Sequence, residues 1–352
     1  MKNKMSINHI LSAQVDVEPI LAQNASFEFL PDDFELASDD EKANFIEMRK
    51  SMSYWQDAWR RLKKNQVAMV ALYIIIAIIL FAFIGPYFSQ YDYSQQIRGS
   101  ENIAPCWEHP FGTDNLGRDI LVRTMFGTRV SLIIGVVASL LVLVIGATYG
   151  AISGFIGGRV DDVMMRLAEL IYSVPDILVV LLLTTVLKVP LQNAFNTSHL
   201  AIIKSLGVLG PSLVAIFIAF GLLYWVALAR IIRGQVLMLK EQEFVTAAKA
   251  LGASNKNIIK KHLLPNCIGQ IIVTTCLEIP AAIFLESFLS FLGLGVSAPM
   301  TSLGSLAAAA LSGMYSYTYR LIIPSVILSV MILSLNLFGD GLRDALDPRL
   351  KK

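Results

Sequence analysis

The sequence predicts an all-α integral membrane protein with six transmembrane helices, on three observations. Of 352 residues, 55% are hydrophobic and 16% charged, against about 25% charged in soluble domains, and the mean hydropathy is +0.60. Six apolar runs are each long enough to approach a bilayer crossing, which takes about 20 helical residues. Lys and Arg crowd the connections on one side of those runs.

The first run, Val67 to Ile84, covers about 27 Å at 1.5 Å per residue before Gly85-Pro86 ends it. The others are Ser131 to Ile156, Ala168 to Leu187, Leu209 to Ala229, Ile268 to Leu292 and Leu321 to Leu337. Pro175 and Asp176 interrupt the third near its start, a break that neighbouring helices can accommodate.

Charge sets the orientation. Arg60, Arg61, Lys63 and Lys64 precede the first run; Arg159 and Arg166 lie between the second and third. Arg230, Arg233, Lys240, Lys249, Lys256, Lys260 and Lys261 lie between the fourth and fifth, and Arg343, Arg349, Lys351 and Lys352 end the chain. The other side carries only Arg98, Arg118, Arg123, Arg129, Lys188, Lys204 and Arg320. Positive charge marks the cytoplasmic side, so both termini are expected there, with an external loop at 89–129 and a cytoplasmic loop at 230–267. Basic charge spread along a membrane face does not read as nucleic-acid binding.

Residues 16–47 carry ten acidic residues against Lys42 alone, so residues 1–52 read as an acidic, disordered cytoplasmic tail. Residues 1–15 lack a cleavable signal pattern, and the first span is expected to direct insertion itself. From Ser53 the pattern changes: Trp55, Trp59, Leu62 and Gln66 fall at helical spacing among basic residues. Residues 53–66 fit an amphipathic helix lying in the cytoplasmic interface; a plain extension of the first span fits equally. Three cysteines, Cys106, Cys267 and Cys276, are too few and scattered for a disulfide framework or a metal site.

The stretch 243–266 is a polar, basic island between two apolar runs. Its first half places Phe244, Ala247, Ala248 and Leu251 on one helical face. Gly252 suits the left-handed turn that ends a helix. Ser254 or Asn255 can cap a second helix showing Ile258, Ile259, His262 and Leu263, which Pro265 is expected to stop. A loop that merely joins two spans needs no such order. Docking to another protein and simple stiffening of the loop both fit the pattern.

Glu243, Ala247, Ala248 and Gly252, followed by Ile259 and Leu264-Pro265, resemble the E-A-A…G…I-L-P signature of permease subunits of ATP-binding-cassette importers. Phe111-Gly112-Thr113-Asp114-Asn115-Leu116-Gly117-Arg118-Asp119 resembles the F-G-T-D-x-x-G-R-D segment of the dipeptide, oligopeptide and nickel permeases. The stretches from Glu286 to Gly295 and from Phe338 to Arg349 are similar to the same group. The resemblance covers about Ser53 to Arg349 and follows the second, C-type, permease subunit. One departure is Leu303, which stands before Gly304 where the family commonly has Trp.

The resemblance implies a type I importer permease fold over 67–349, with the island docking into an ATPase subunit. It further implies a homologous second permease, two ATPase subunits holding the ATP and magnesium, and a periplasmic or extracellular peptide-binding protein. Cargo would be dipeptides or oligopeptides, crossing a bacterial plasma membrane. No G-x-x-x-x-G-K-[ST] occurs in the chain, so ATP chemistry is assigned to a partner and no cofactor or metal to this chain.

Other candidates are weaker. Asp114, Asn115 and Asp119 lack the ligand spacing of a calcium loop, and a turned, salt-bridged scaffold is the better reading of that segment. Glu278, Glu286 and Asp176 lie in or beside apolar runs, where charge is costly and tends to face a cavity or a partner. They are candidates for the transport pathway, or for the relay of a proton-coupled secondary transporter. For Glu286, flanked by serines, an interhelical hydrogen bond fits equally. A nickel or other small-solute permease is the alternative within the family; the spans offer no His or Met cluster, which favours peptide.

Overall fold

The computed structural model describes residues 53–197, 207, 210–296 and 298–346. The chain divides into two units, 1–52 and 53–352; the acidic tail lies outside the described residues, as do Leu209 and the terminal stretch from Asp347. The described residues are helical, without a named strand, and six of their helices are long and apolar enough to cross a membrane.

Helix α1 (Tyr54–Lys64) is separate from the first span. Asn65 leaves helical geometry (φ −84°, ψ 97°), and its side-chain oxygen accepts from the Ala68 N–H at 3.1 Å to start α2 (Gln66–Phe83). A short 3-10 turn, Gly85–Phe88, closes α2 around Pro86.

Helix α3 (Ile120–Ile156) begins eleven residues before the expected Ser131, because Asp119 caps it by accepting from Val122 N–H at 2.9 Å. Residues 120–129 of the expected external loop are therefore helix. At its far end Gly157 and Gly158 take φ of 69° and 57° and turn the chain into α4 (Gly158–Tyr172). The expected third span is corrected here. Ala168 belongs to α4, the helix breaks at Ser173–Pro175, and the spanning helix α5 runs Asp176–Thr197. A proline disfavours helix at the residue before it.

The fourth span is α6 (Pro211–Leu223) followed after Tyr224 by α7 (Trp225–Leu239). It continues ten residues beyond the expected Ala229, so Arg230 and Arg233 sit on helix. The island forms α8 (Glu243–Ala250) and α9 (Asn255–Ile258), then α10 (Ile268–Phe291) crosses back. A short helix α11 (Leu303–Ala310) precedes the last span, α12 (Tyr319–Leu346).

The centre of the bundle is α3 against α7. Gly146, Gly150 and Gly154 lie four apart on α3. A Cβ added to them would meet the carbonyl groups of Trp225, Ala229 and Arg233, themselves four apart on α7. Small residues at this spacing let two helix backbones approach closely. The main apolar cluster runs from this seam through Val142, Phe220 and Ile232 into the island residues Val245, Ile258 and Leu263. A second cluster joins Ala82, Leu132, Ile283, Leu303 and Met331 across α2, α3, α10, α11 and α12; Leu303 is fully buried there.

Candidate functional site

The island is rigidly attached to the bundle by one face and bare on another. Val245 and Ala248 of α8 turn inward with Ile258 and Leu263. Burying a side chain of that size contributes roughly 1.5–3 kcal/mol. Phe244, Ala247 and Leu251 face outward, with Leu251 88% exposed. The expected grouping of Ala248 with Phe244 is therefore corrected: α8 is apolar on two sides, and the better-packed side takes Ala248.

The corner between the arms is a closed hydrogen-bonded unit. Gly252 has φ +80°; its N–H donates to Lys249 O, and the Ala253 N–H to Ala248 O, each at 3.0 Å. This is the six-to-one, five-to-two pattern of a Schellman turn. Ser254 Oγ then accepts from Asn257 N–H to cap α9. Glu243 is exposed in the first turn of α8, where negative charge suits the helix dipole, and Lys249 Nζ lies 5.5 Å from the Phe155 ring centroid.

Pro265 does not stop the second arm. Ile259–Leu263 form a π turn in which Leu264 N–H donates to Ile259 O, five residues back. Pro265 then opens the next turn, Leu264–Asn266, where its missing N–H costs little. Ile259 is half-buried against the main cluster, as is Leu264. The path from Asn255 into α10 is thus nearly continuous.

Beneath the island, Arg233 of α7 grips Asp161 of α4. Nε donates to Oδ1 at 2.6 Å and Nη2 to Oδ2 at 2.5 Å, while Ser153 Oγ of α3 donates to Oδ1 as well. The Arg233 hydrogen bonds, with help from Ser153, hold the Asp161 carboxyl below the ordinary carboxylate range. Arg230 lies 4.4 Å over the Tyr172 ring. In sequence Arg230 and Arg233 served only as orientation markers and Asp161 was not singled out; nothing there linked positions 161 and 233.

On the opposite side, the segment 111–119 is a tight turn. Gly112 and Gly117 take φ of 76° and 70°, and added Cβ atoms would meet the Ile103 and Ile97 carbonyls. Asp114 Oδ1 accepts from the N–H groups of Leu116 (2.8 Å) and Arg118 (3.0 Å), and Oδ2 from Arg118 Nε (2.7 Å). Thr113 Oγ1 accepts from Ile103 N–H at 2.8 Å and donates to Ser100 O at 2.5 Å. Asp119, besides capping α3, holds His109 Nδ1 at 2.8 Å. The Phe111 and Phe81 rings lie 6.5 Å apart. Two residues without a site role in the sequence reading lock this turn to α12: Tyr319 donates to Ile103 O and Thr113 O at 2.9 and 3.1 Å, and Arg320 to Asn102 Oδ1 at 2.9 Å.

Of the three acidic pathway candidates, Asp176 and Glu278 share Tyr224 as a neighbour. Glu286 is fully buried and accepts from Ser290 (2.6 Å), Ser131 (3.1 Å) and Ser287 (3.4 Å). It joins α10 to α3. Asp176 is exposed, capping its own helix and accepting from Tyr224 at 3.0 Å. Glu278 is half-buried. Among the described residues no group of three His, Cys, Asp or Glu could hold a metal.

Comparison with known proteins agrees with this architecture. A family described as the binding-protein-dependent transport system inner membrane component matches residues 146–352. The N-terminal TM domain of oligopeptide transport permease C matches residues 53–105. The oligopeptide transport system permease protein OppC of Bacillus subtilis (strain 168) is 45% identical over 304 residues, 86% of this chain and 92% of that protein. The dipeptide transport system permease protein DppC of the same strain is 45% identical over 305 residues, 86% and 88% of the two chains. OppC of Escherichia coli (strain K12) is 40% identical over 299 residues, 84% and 92%. This chain is a multi-pass membrane protein and belongs to the family of binding-protein-dependent transport system inner membrane components.

Proposed function

We propose that this chain is one permease subunit of an ATP-driven peptide importer in a bacterial plasma membrane, forming half of the translocation pathway. Both termini and the 230–267 connection face the cytoplasm. A homologous permease completes the pathway, two ATPase subunits bind ATP and magnesium below, and an external peptide-binding protein delivers cargo. The observation that carries the reading is the outward stripe of Phe244, Ala247 and Leu251 on a helix whose other face is built into the α3–α7–α10 core. A push on that stripe reaches the spans without loss in a loose linker. The names of the relatives support peptide as cargo.

Motion of the island would rock the spans as a rigid body between outward-open and inward-open states. The deciding experiment purifies the chain with its partner subunits and measures ATPase activity in lipid vesicles with the binding protein present. Peptide should stimulate hydrolysis, and uptake should stop when ATP is depleted. Uptake that survives ATP depletion and collapses with the proton gradient would overturn the proposal.

A further inference from the structure

We propose that the exposed edge of α1 is a binding strip for the headgroups of anionic phospholipids. Its location is the first argument. Tyr54 donates to the carbonyl of Leu346, the last residue of α12, at 3.4 Å. A Cβ on Gly269, at the start of α10, would meet the Tyr54 hydroxyl at 2.6 Å. At the other end of α1, Leu62 packs with Ala68 of α2 and Ala345 of α12. The helix therefore lies beside the first turns of the spanning helices α2 and α10 and the last turn of α12, a position that suits the headgroup layer.

Its faces are the second argument. Ala58 and Leu62 are buried against the bundle, at 8% and 3% exposure, while Trp55 and Trp59 stand out at 51% and 46%. Lys63 continues that row, with its Nζ 5.3 Å from the Trp59 ring centroid, and Lys64 is exposed beside it. Asp57 does not offset this charge, because Arg61 holds it at 2.8 Å. Indole rings at the depth of span ends are suited to the membrane–water interface. Cations next to them attract anionic headgroups. A wholly aqueous surface would leave two indoles in water to no purpose.

The test uses the chain in the complex with which it co-purifies, placed in phosphatidylcholine vesicles containing rising fractions of dibrominated phosphatidylglycerol. The signal of Trp55 and Trp59 is the fluorescence difference between the parent complex and one carrying W55F/W59F. Brominated phosphatidylglycerol should quench that signal at lower fractions than brominated phosphatidylcholine. Lys64→Gln should raise the half-quenching fraction by roughly fivefold, the effect of one cation at an anionic surface, and K63Q/K64Q should make the two lipids equivalent. Equal quenching by both lipids in the parent, or none by either, overturns the proposal. Quenching that appears only after the other subunits are stripped away overturns it too, assigning the strip to a protein contact.

Discussion

Arg233 and Asp161, 72 residues apart, form a two-pronged ion pair that ties the helix leading into the island to the helix following the second span. Asp161→Asn should lower the thermal midpoint of the purified protein. Arg233 is one-third exposed, so the loss is expected between surface-pair and buried-pair values, about 1–3 kcal/mol.

The same pair predicts a pH dependence. Because the folded carboxyl titrates below its ordinary value, it contributes stability at pH values above the unfolded pKa of about 3.9. That contribution fades as pH falls through the lower folded value. Melting curves of parent and D161N protein should differ most near neutrality and converge in strong acid. A gap that widens on acidification would mean the ion pair is not its source.

Two substitutions, at Ala248 in α8 and at its C-cap Leu251, separate docking from folding. Leu251→Asp alters only the bare face, so membrane insertion and melting should be unchanged while ATPase binding and peptide-stimulated hydrolysis are lost. Ala248→Asp places a charge against the main cluster, where an unpaired buried charge costs about 3 kcal/mol or more, and should reduce the amount of folded protein recovered. Unchanged coupling in the L251D complex would remove the docking claim.

The α3–α7 seam makes a paired prediction about glycine. Gly150→Ala pushes a methyl group into the Ala229 backbone and should destabilise by about 1–3 kcal/mol. Gly221→Ala meets only Ile145 Cδ1 at 3.5 Å and should be neutral or gain up to about 1 kcal/mol from helix propensity. Chemical or thermal unfolding of the two variants side by side checks the order.

Thiol labelling tests the proposed orientation. Cys106 is exposed and Cys267 buried, and burial pushes the Cys267 thiol up to about 11. A membrane-impermeant maleimide added outside intact cells, or spheroplasts where an outer membrane intervenes, should modify Cys106 at neutral pH. Cys267 should react only after unfolding. Cys106 labelling confined to inverted vesicles would reverse the orientation.

Run length and composition located all six spans, because a bilayer demands a continuous apolar stretch whatever its neighbours. The ends that moved were set by residues outside those stretches. Asp119 starts α3 early, Pro175 starts α5 late, and α7 carries Arg230 and Arg233 past the end of its apolar run. On α8 the period alone could not choose between the Val245–Ala248 face and the Phe244–Leu251 face, since both are apolar; packing against Ile258 and Leu263 decided it. The serine at i+4 from Glu286 was visible in sequence, while Ser131, 155 residues away, was not. The repeat of Gly146, Gly150 and Gly154 was passed over in sequence, and only the fold supplies its partner helix.

The π turn at Ile259–Leu263 acts as a phase adjuster between the island and the fifth span. A helix advances about 100° per residue; by widening one turn, this segment takes up an extra residue without rotating the second arm about the α10 axis. Deleting one residue there should close the turn to ordinary α-helical geometry and leave both arm and span in place, whereas deleting one from the regular part of α10 would rotate the arm by about 100°. Ile258 and Leu263 thus keep their place against the main cluster although the path holds one residue more than an α-helix would.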